Sequence, residues 1–263
     1  MKAIDKLLNS QKETDSLLCI GLDPVIEKMP RGINKDAKGI AEFCLQIIEK
    51  TKDIACAYKV NTAFFEQYGS AGVVAMEFVF ESMPKNRFII ADAKRGDIGN
   101  TSRAYAKSVF EVINADAVTV SPYMGEDSIM PFLDYEDKMI FVLALTSNKG
   151  SGDFQKLEYN KKPLYLSVID TVQKWERKAD IGFVAGATHA GEIKTIREHT
   201  DHTLLIPGIG AQGGDAAAVL EANAGKPAII NSSRSIIFAS DQENFANAAR
   251  KKAEEFRLML NGG

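Results

Sequence analysis

The sequence has few cysteines, no long apolar run and no excess of charge of either sign. Its three cysteines, Cys19, Cys44 and Cys56, are odd in number and lack metal-ligand spacing, and two of them lie in apolar runs that suit a small buried side chain. This usage predicts a reduced, cytoplasmic setting. The segment from Met1 to Gln11 lacks the apolar stretch of a signal peptide, and no run approaches the roughly 18–20 apolar residues that span a bilayer. We therefore expect no association with a membrane.

Charge and composition indicate a globular protein that does not bind nucleic acid nonspecifically. The 32 Lys and Arg residues against 35 Asp and Glu give a net charge of −3, so no overall field would hold a nucleic acid nonspecifically. With 45% hydrophobic and 25% charged residues, the 263-residue chain has the composition of a globular protein, and no linker marks a boundary. We expect one domain over residues 1–263 and no nucleic-acid partner.

Eight short apolar runs recur along the chain. Most are continuous rather than alternating, which suits parallel strands covered on both faces, and the segments between them can hold helices. Two such helices are predicted over Asp36–Lys52 and Gln242–Leu260. This rhythm predicts an α/β protein with a (β/α)₈ TIM barrel, and an open doubly wound sheet is the alternative. The runs are Leu17–Gly21, Cys56–Val60, Phe88–Ala91, Ala117–Val120, Met139–Leu145, Ile181–Ala185, Thr203–Ile206 and Ala228–Ile230.

A cluster of charges follows the third apolar run. Asp92 and Lys94 are two residues apart, so on an extended strand both side chains face the same side, where Lys59 from the neighbouring strand can join them. Charges in such a place persist only when opposite signs alternate and hydrogen-bond each other, a condition that Lys59, Asp92, Lys94 and Asp97 meet. The alternative is a solvated loop with incidental ion pairs. Because the charged cluster comes directly after a hydrophobic strand, we favour a functional site over a solvated loop.

A glycine-rich loop follows the seventh run, and Arg234 follows the eighth. Glycines let the backbone approach an anion closely, Gln212 can donate from its amide, and Arg234 can make a bidentate contact. Barrels often bind phosphate at this position. The loop could instead be only a tight turn, but Arg234 favours a phosphorylated ligand. The glycines are Gly208, Gly210, Gly213 and Gly214.

Other polar residues carry weaker signals. His199 and His202 have a spacing that metals can use, but with only His189 besides and no grouped cysteines we predict a solvated helix end and no metal. Trp175 is interpreted as a helix residue packed against the barrel. No Gly-x-Ser-x-Gly motif supports a hydrolase, and no motif indicates a cofactor.

Together these motifs resemble the orotidine 5′-phosphate decarboxylase family over nearly the whole chain. The resemblance rests on Asp92-Ala-Lys-Arg-Gly-Asp-Ile98, which matches the family's Asp-x-Lys-x-x-Asp-Ile, together with Leu22-Asp23-Pro24, Lys59, Pro207-Gly-Ile-Gly-Ala-Gln212 and Ser233-Arg234. The stretches Thr146-Ser-Asn148 and Ser121-Pro-Tyr-Met-Gly125 are most similar to the longer bacterial branch. Gly99 and Ser233 depart from the pattern, where many relatives have Pro and Gly.

The resemblance implies a role for each matching residue. Lys94 would protonate the substrate and Asp92 would lie nearest its carboxylate, while Lys59 and Asp23 would hold the ribose hydroxyls. The pyrimidine amide would contact Ser147, with Thr146 as the alternative. The phosphate would be held by Gln212 and Arg234, with Pro207 and Gly213 from the same loop region. In the family, Asp97, Ile98 and Thr101 reach the partner's site, so a homodimer is implied.

The implied reaction converts orotidine 5′-phosphate to uridine 5′-phosphate in de novo pyrimidine biosynthesis without a cofactor. Loss of CO₂ from C6 leaves an electron pair that the ring π-system cannot delocalise, so a fixed ammonium such as that of Lys94 must stabilise it. One rival is a magnesium-dependent sugar-phosphate enzyme on the same barrel that shares Asp-x-Lys-x-x-Asp. Another is a non-catalytic sensor of phosphorylated ligands, which would need no costly charged cluster.

Overall fold

Eight parallel strands close into a barrel in the computed structural model, which describes residues 1–186, 190–208 and 216–262. The predicted (β/α)₈ barrel is confirmed, and an open sheet is excluded because the first and last strands pair directly, Leu18 beside Ile230. Round the barrel the strands are β1 (Leu18–Leu22), β2 (Ala57–Asn61), β3 (Phe88–Arg95), β4 (Ala117–Val120), β5 (Met139–Leu145), β8 (Asp180–Ala185), β9 (Thr203–Pro207) and β10 (Ala228–Ser232).

Helices connect the strands and cover the outside of the barrel. The two helices predicted from apolar spacing are present, at Ala37–Thr51, where the Asp36 carboxylate accepts from the Gly39 amide at 2.8 Å, and at Phe245–Leu260. A small antiparallel hairpin, β6 (Glu158–Tyr159) with β7 (Lys162–Pro163), follows β5. The α-helices are α1 (Ala3–Thr14), α2 (Ala37–Thr51), α3 (Ala63–Glu66), α4 (Gly69–Glu81), α5 (Gly99–Lys107), α6 (Glu126–Leu133), α7 (Ser151–Phe154), α8 (Leu164–Val172), α9 (Ala190–His199), α10 (Ala216–Asn223), α11 (Arg234–Ile237) and α12 (Phe245–Leu260), with 3₁₀ turns at Ile26–Lys28 and Pro122–Met124 and a π-helical turn at Ser108–Val112.

The apolar side chains form two layers because each strand buries both of its faces. The inner layer fills the barrel and includes Phe88, Phe141 and Leu205. The larger outer layer lies between strands and helices, where Phe43 of α2 stacks on Phe245 of α12 with ring centroids 5.3 Å apart. This continuous burial explains why the strands appear in the sequence as unbroken apolar runs.

Helix α1 closes the barrel at the end where the strands begin. Leu7 of α1 joins the inner layer, and the Ser10 hydroxyl donates to the carbonyl of Cys56 at 2.6 Å. Lys6 pairs with Asp116 at 2.6 Å, just before β4, and the Ile4 amide donates to Asp180 at 3.1 Å. Because α1 covers this end, a functional site is expected at the opposite end of the barrel, where the strands terminate.

The structure can also be compared with the predictions for the cysteines, Trp175 and His199, and for membrane-spanning helices. All three cysteines are buried and unpaired, although burial was predicted for only two of them, and burial raises the pKa of the Cys56 thiol to about 12. Trp175 packs against the outer layer but lies three residues beyond the end of α8, so placing it within a helix was wrong. His199 ends α9, with Nδ1 2.9 Å from Asp170. Within the described ranges, no helix has the length and apolar character needed to cross a bilayer.

Candidate active site

A cavity of about 420 Å³ opens where the barrel strands end. Its wall contains most of the residues that the sequence nominated and that the structure describes: Asp23, Lys59, Asp92, Lys94, Ser147, Pro207 and Arg234. It also contains polar residues to which the sequence analysis gave no role: Asn61, Thr119, Asn148, Asn231 and Ser232. The carboxyl ends of the strands thus bring distant parts of the chain to one site, as this barrel architecture requires.

A network of opposite charges forms the floor of this cavity. The two oxygens of Asp92 accept from two different ammonium groups, Oδ2 from Lys59 Nζ at 2.8 Å and Oδ1 from Lys94 Nζ at 2.6 Å. Asp23 lies on the far side of Lys59, with its Oδ1 3.7 Å from Nζ. Lys59 and Asp92 are buried, whereas the side chain of Lys94 is 48% exposed. Both lysines line the cavity, and Lys94 is the more accessible of the two to a ligand there.

Asp92 and Lys59 both keep their charges at neutral pH. Burial alone would raise the pKa of Asp92, but the ammonium groups of Lys59 and Lys94 outweigh it and hold that pKa well below the usual range. Burial alone would lower the pKa of Lys59, but the carboxylates of Asp23 and Asp92 outweigh it and raise that pKa. Asp92 is thus an anion and Lys59 a cation, so the site contains fixed charge before any ligand arrives.

Strand β3 reaches the cavity through an irregularity in its pairing with β4. Ala91 pairs with Val118 and Arg95 pairs with Val120, so residues 92–94 lie opposite Thr119 alone. Lys94 has φ of 46°, in the left-handed region that non-glycine residues rarely adopt. The condition under which Asp92 and Lys94 would share a face, a regular extended strand, is therefore not met, although the bulge still brings their side chains together.

The residues just after β3 stand apart from the network of their own chain. Asp97 is half-buried, and its Oδ1 accepts from the adjacent amide of Ile98 at 2.8 Å. Ile98 is 56% exposed, and Thr101 is exposed on the first turn of α5. None of the three lines the cavity. The prediction that Asp97 joins Lys59, Asp92 and Lys94 is not met within one chain, where Asp23 supplies the second carboxylate instead.

The loop after β5 is held by a residue that the sequence did not indicate. The side-chain oxygen of Gln155 accepts from the Thr146 amide at 2.7 Å, and its nitrogen donates to the Thr146 hydroxyl at 2.9 Å. Thr146 also donates to Asn148 at 2.6 Å. Because the polar groups of Thr146 are engaged in this way, Ser147 is the better placed of the two to meet a ligand.

The phosphate region is described only in part. Gln212 and Gly213, like His189, Gly210 and Gly214, lie outside the described residues. Pro207 and Gly208 at the end of β9 line the cavity together with Arg234, which is exposed at the start of α11. Gly208 has φ of 102°, so glycine is required there.

Three buried oxygens around this cavity have no hydrogen-bond partner among the described residues: Asp23 Oδ1, Asn231 Oδ1 and Ser233 Oγ. Buried polar atoms are normally paired, and exceptions concentrate at functional sites. Gly21 lies beside two of them, since a Cβ there would come within 3.1 Å of Asn231 Oδ1 and 2.8 Å of the Ser233 side chain. All three residues line the cavity together with Arg234, so their oxygens are available to form hydrogen bonds with a ligand there.

The described residues contain no group of three or more His, Cys, Asp and Glu side chains arranged to hold a metal ion. His199 instead pairs with Asp170, and burial lowers the pKa of His202. The functional groups at the cavity are carboxylates, ammonium groups, amides and hydroxyls. Such a set can stabilise developing negative charge and supply a proton.

The sequence indicated no role for Thr119, which lines the cavity, or for Gln155, which supports the loop after β5. Thr119 lies between two valines in a buried strand, where a β-branched residue is expected for packing alone. The only sequence feature that could have indicated a role for Thr119 is its hydroxyl, which is a polar group inside a strand that ends at the mouth of the barrel. Gln155 lies nine residues after Thr146 in a loop, and nothing in the sequence indicates their pairing.

Comparisons with known proteins agree with this geometry. The family model described as "Orotidine 5′-phosphate decarboxylase / HUMPS family" matches residues 16–249. An orotidine 5′-phosphate decarboxylase of Herpetosiphon aurantiacus is 48% identical over 244 residues, covering 92% of this chain and 91% of that protein. One from Bacteroides fragilis is 46% identical over 262 residues, covering 97% and 95%.

Solved structures give the same result. The OMP decarboxylase of Leishmania donovani has a TM-score of 0.87 and 39% identity, covering 100% of this chain and 98% of that one. The UMP synthase of the same organism has a TM-score of 0.88 and 40% identity, covering 99% of this chain. This chain spans 57% of the length of that synthase. The similarity therefore extends over the whole barrel.

Proposed function

The chain belongs to the orotidine 5′-phosphate decarboxylase / HUMPS family, and we propose that it converts orotidine 5′-phosphate to uridine 5′-phosphate without a cofactor, with Lys94 as the proton donor. This activity makes it a carboxy-lyase of de novo pyrimidine biosynthesis, and the relatives described above are named orotidine 5′-phosphate decarboxylases. The observation that carries the proposal is the contrast between the two lysines of the network. Lys59 is enclosed between two carboxylates, whereas Lys94 is held at one carboxylate and half exposed to the cavity.

The chemistry requires a cation at a fixed place. When the bond from C6 to the carboxylate breaks, CO₂ leaves and both bonding electrons remain on C6, in an in-plane orbital that the ring cannot delocalise. The Lys94 ammonium stabilises this charge, then transfers a proton to C6 and is reprotonated from solvent. Enzymes lower barriers by about 8–23 kcal/mol, so several contacts must contribute together.

The remaining contacts bind parts of the substrate that do not react. Lys59 and Asp23 hold the ribose hydroxyls. Asp23 Oδ1 pairs with Lys59 at 3.7 Å but accepts no hydrogen bond among the described residues, so it is an acceptor suited to this role. Ser147 contacts the pyrimidine amide. The phosphate is held by Arg234 with Gln212, Pro207 and Gly213. Binding energy from these remote groups orders the charged network and thereby raises the rate.

Asp92 has two roles in the proposed reaction: it positions the proton donor and it repels the substrate carboxylate. It anchors Lys94 at 2.6 Å, and its own negative charge lies near the carboxylate that the substrate loses. Repulsion between the two carboxylates is relieved as CO₂ departs, which favours the transition state over the bound substrate.

We also place the enzyme in a homodimer with shared sites. Asp97 and Thr101 contribute nothing to the cavity of their own chain, so a second copy is the place where they can act on substrate. The surface beyond β3 and β4 is apolar enough for a contact, with Ile98 56%, Tyr123 87% and Met124 47% exposed. The unpaired cysteines suit a cytoplasmic setting.

The test is a direct assay of purified protein in the presence of a chelator. We expect the ultraviolet absorbance of orotidine 5′-phosphate to fall as uridine 5′-phosphate and CO₂ appear in equal amounts. Activity that vanishes with the chelator and returns with magnesium would favour the sugar-phosphate rival. Binding of the nucleotide without turnover would favour the sensor and overturn the proposal.

A further inference from the structure

The hydroxyl of Thr119 bridges the two residues on which the proposed chemistry depends. Its Oγ1 accepts from the backbone amide of Lys94 at 3.0 Å and donates to Asp92 Oδ1 at 2.9 Å. Thr119 is 1% exposed and comes from β4, a different strand from its two partners. The same carboxylate oxygen that binds the Lys94 ammonium therefore also binds the hydroxyl that holds the Lys94 backbone.

The direction of these two bonds is fixed by chemistry. An amide N–H can only donate, and the ionised carboxylate of Asp92 can only accept. The single proton of the hydroxyl must therefore point to Asp92, leaving a lone pair for Lys94. Serine can make the same pair of bonds, whereas valine and alanine can make neither.

The backbone of Lys94 needs such a partner. Residues 92–94 form the bulge opposite Thr119, so the regular ladder between β3 and β4 is interrupted there. Lys94 also has a left-handed φ of 46°, a conformation that persists in a non-glycine residue only when its surroundings enforce it. The Thr119 hydroxyl is the contact that β4 provides at this point.

We infer that Thr119 is a positioning residue for decarboxylation, which fixes the Lys94 backbone and the Asp92 carboxylate so that the Lys94 ammonium is aimed at the reacting carbon. Lys94 needs this support because its side chain is 48% exposed and is tied only to Asp92 among the described residues. A shift of about 1 Å in a reacting group can cost a hundredfold in rate. The inference rests on the proposed function.

The experiment compares three substitutions at one position. Thr119→Val keeps shape and β-propensity but removes the hydroxyl, Thr119→Ala removes it in a smaller side chain, and Thr119→Ser retains it. We expect Thr119→Val and Thr119→Ala to lower kcat for orotidine 5′-phosphate by about tenfold to hundredfold. KM and the affinity for uridine 5′-phosphate should change less than about threefold, because the ribose and phosphate contacts are untouched. Thr119→Ser should recover most of kcat.

A second readout isolates carbanion stabilisation from loss of CO₂. Exchange of the C6 hydrogen of uridine 5′-phosphate with deuterium oxide, followed by NMR, should slow in Thr119→Val by the same factor as kcat. Equal kcat in wild type and Thr119→Val would overturn the inference, as would a loss in Thr119→Ser equal to that in Thr119→Val, or a rise in KM matching the fall in kcat. A wild-type protein that does not decarboxylate the substrate would instead refute the proposed function.

Discussion

Replacing Asp92 with asparagine tests whether the charged network both holds the fold and drives the reaction. Asp92 accepts three hydrogen bonds, from Lys59 at 2.8 Å, Lys94 at 2.6 Å and Thr119 at 2.9 Å. Asparagine has nearly the same shape, but its one oxygen can serve only one lysine and its NH₂ group faces the other. Two ammonium groups would then share a site without their common counter-ion.

The expected cost follows from the burial of the pair. Breaking a buried ion pair by removing one partner costs about 3–5 kcal/mol. Because Lys94 is half exposed and screened by solvent, we expect Asp92→Asn to lower the free energy of unfolding by about 3 kcal/mol. The matched control is Asp53→Asn, which breaks an exposed pair with Arg250 at 2.7 Å and should cost less than about 1 kcal/mol.

Asp92→Asn should slow turnover but tighten the binding of substrate relative to product. Turnover should fall by at least about a hundredfold, because Lys94 loses its anchor. Binding of orotidine 5′-phosphate relative to uridine 5′-phosphate should tighten by at least about threefold, because the substrate carboxylate no longer meets a negative charge. Calorimetry on the slow variant measures both affinities. A ratio that shifts toward the product would refute the repulsion argument.

Three further predictions concern the loop after β5 and the acid stability of the site. Gly186→Ala places a Cβ 2.7 Å from the backbone nitrogen of Ser147, so KM should rise about tenfold, and an unchanged KM in steady-state kinetics would count against a role for that loop in binding. Gln155→Leu removes both bonds to Thr146 and should weaken binding of uridine 5′-phosphate about tenfold in titration calorimetry; full affinity would show that the loop needs no support. The pKa of Asp92 is held below its ordinary value of 3.8, so its ionised form stabilises the fold above that pH and the contribution is lost as pH falls below it. Denaturant unfolding of wild type should therefore weaken more steeply than that of Asp92→Asn below about pH 4, and parallel curves would contradict this.

The architecture could be predicted because each strand is buried on both faces. All eight apolar runs became strands, and Ala117–Val120 and Met139–Leu145 matched residue for residue. The ends near the site were less accurate. Strand β3 continues through Arg95, four residues beyond the predicted Ala91, because backbone pairing does not stop where the side chains become charged.

The sequence revealed the site residues that carry charge next to a buried strand. It did not reveal the features that depend on how two strands pair. Charged residues after a buried strand stand out, so Asp92, Lys94 and Lys59 could be found from the sequence. The bulge, the left-handed backbone of Lys94 and the bond from Thr119 could not, because they depend on the register of β3 and β4, which brings together residues 25 apart in the chain. Asp97 was grouped with the network because spacing alone does not show that the chain turns away after β3.

The role proposed for Lys94 is tested most directly by the kcat of Lys94→Ala, measured on protein shown to be folded and to bind uridine 5′-phosphate. If the Lys94 ammonium stabilises and protonates the carbanion, kcat should fall by at least about a thousandfold, some 4 kcal/mol of transition-state stabilisation, while affinity for the product changes little. A matched variant, Lys52→Ala, removes an exposed lysine paired with Glu49 and should retain wild-type kcat. A Lys94→Ala enzyme that decarboxylates at the rate of Lys52→Ala would contradict the proposed role of Lys94.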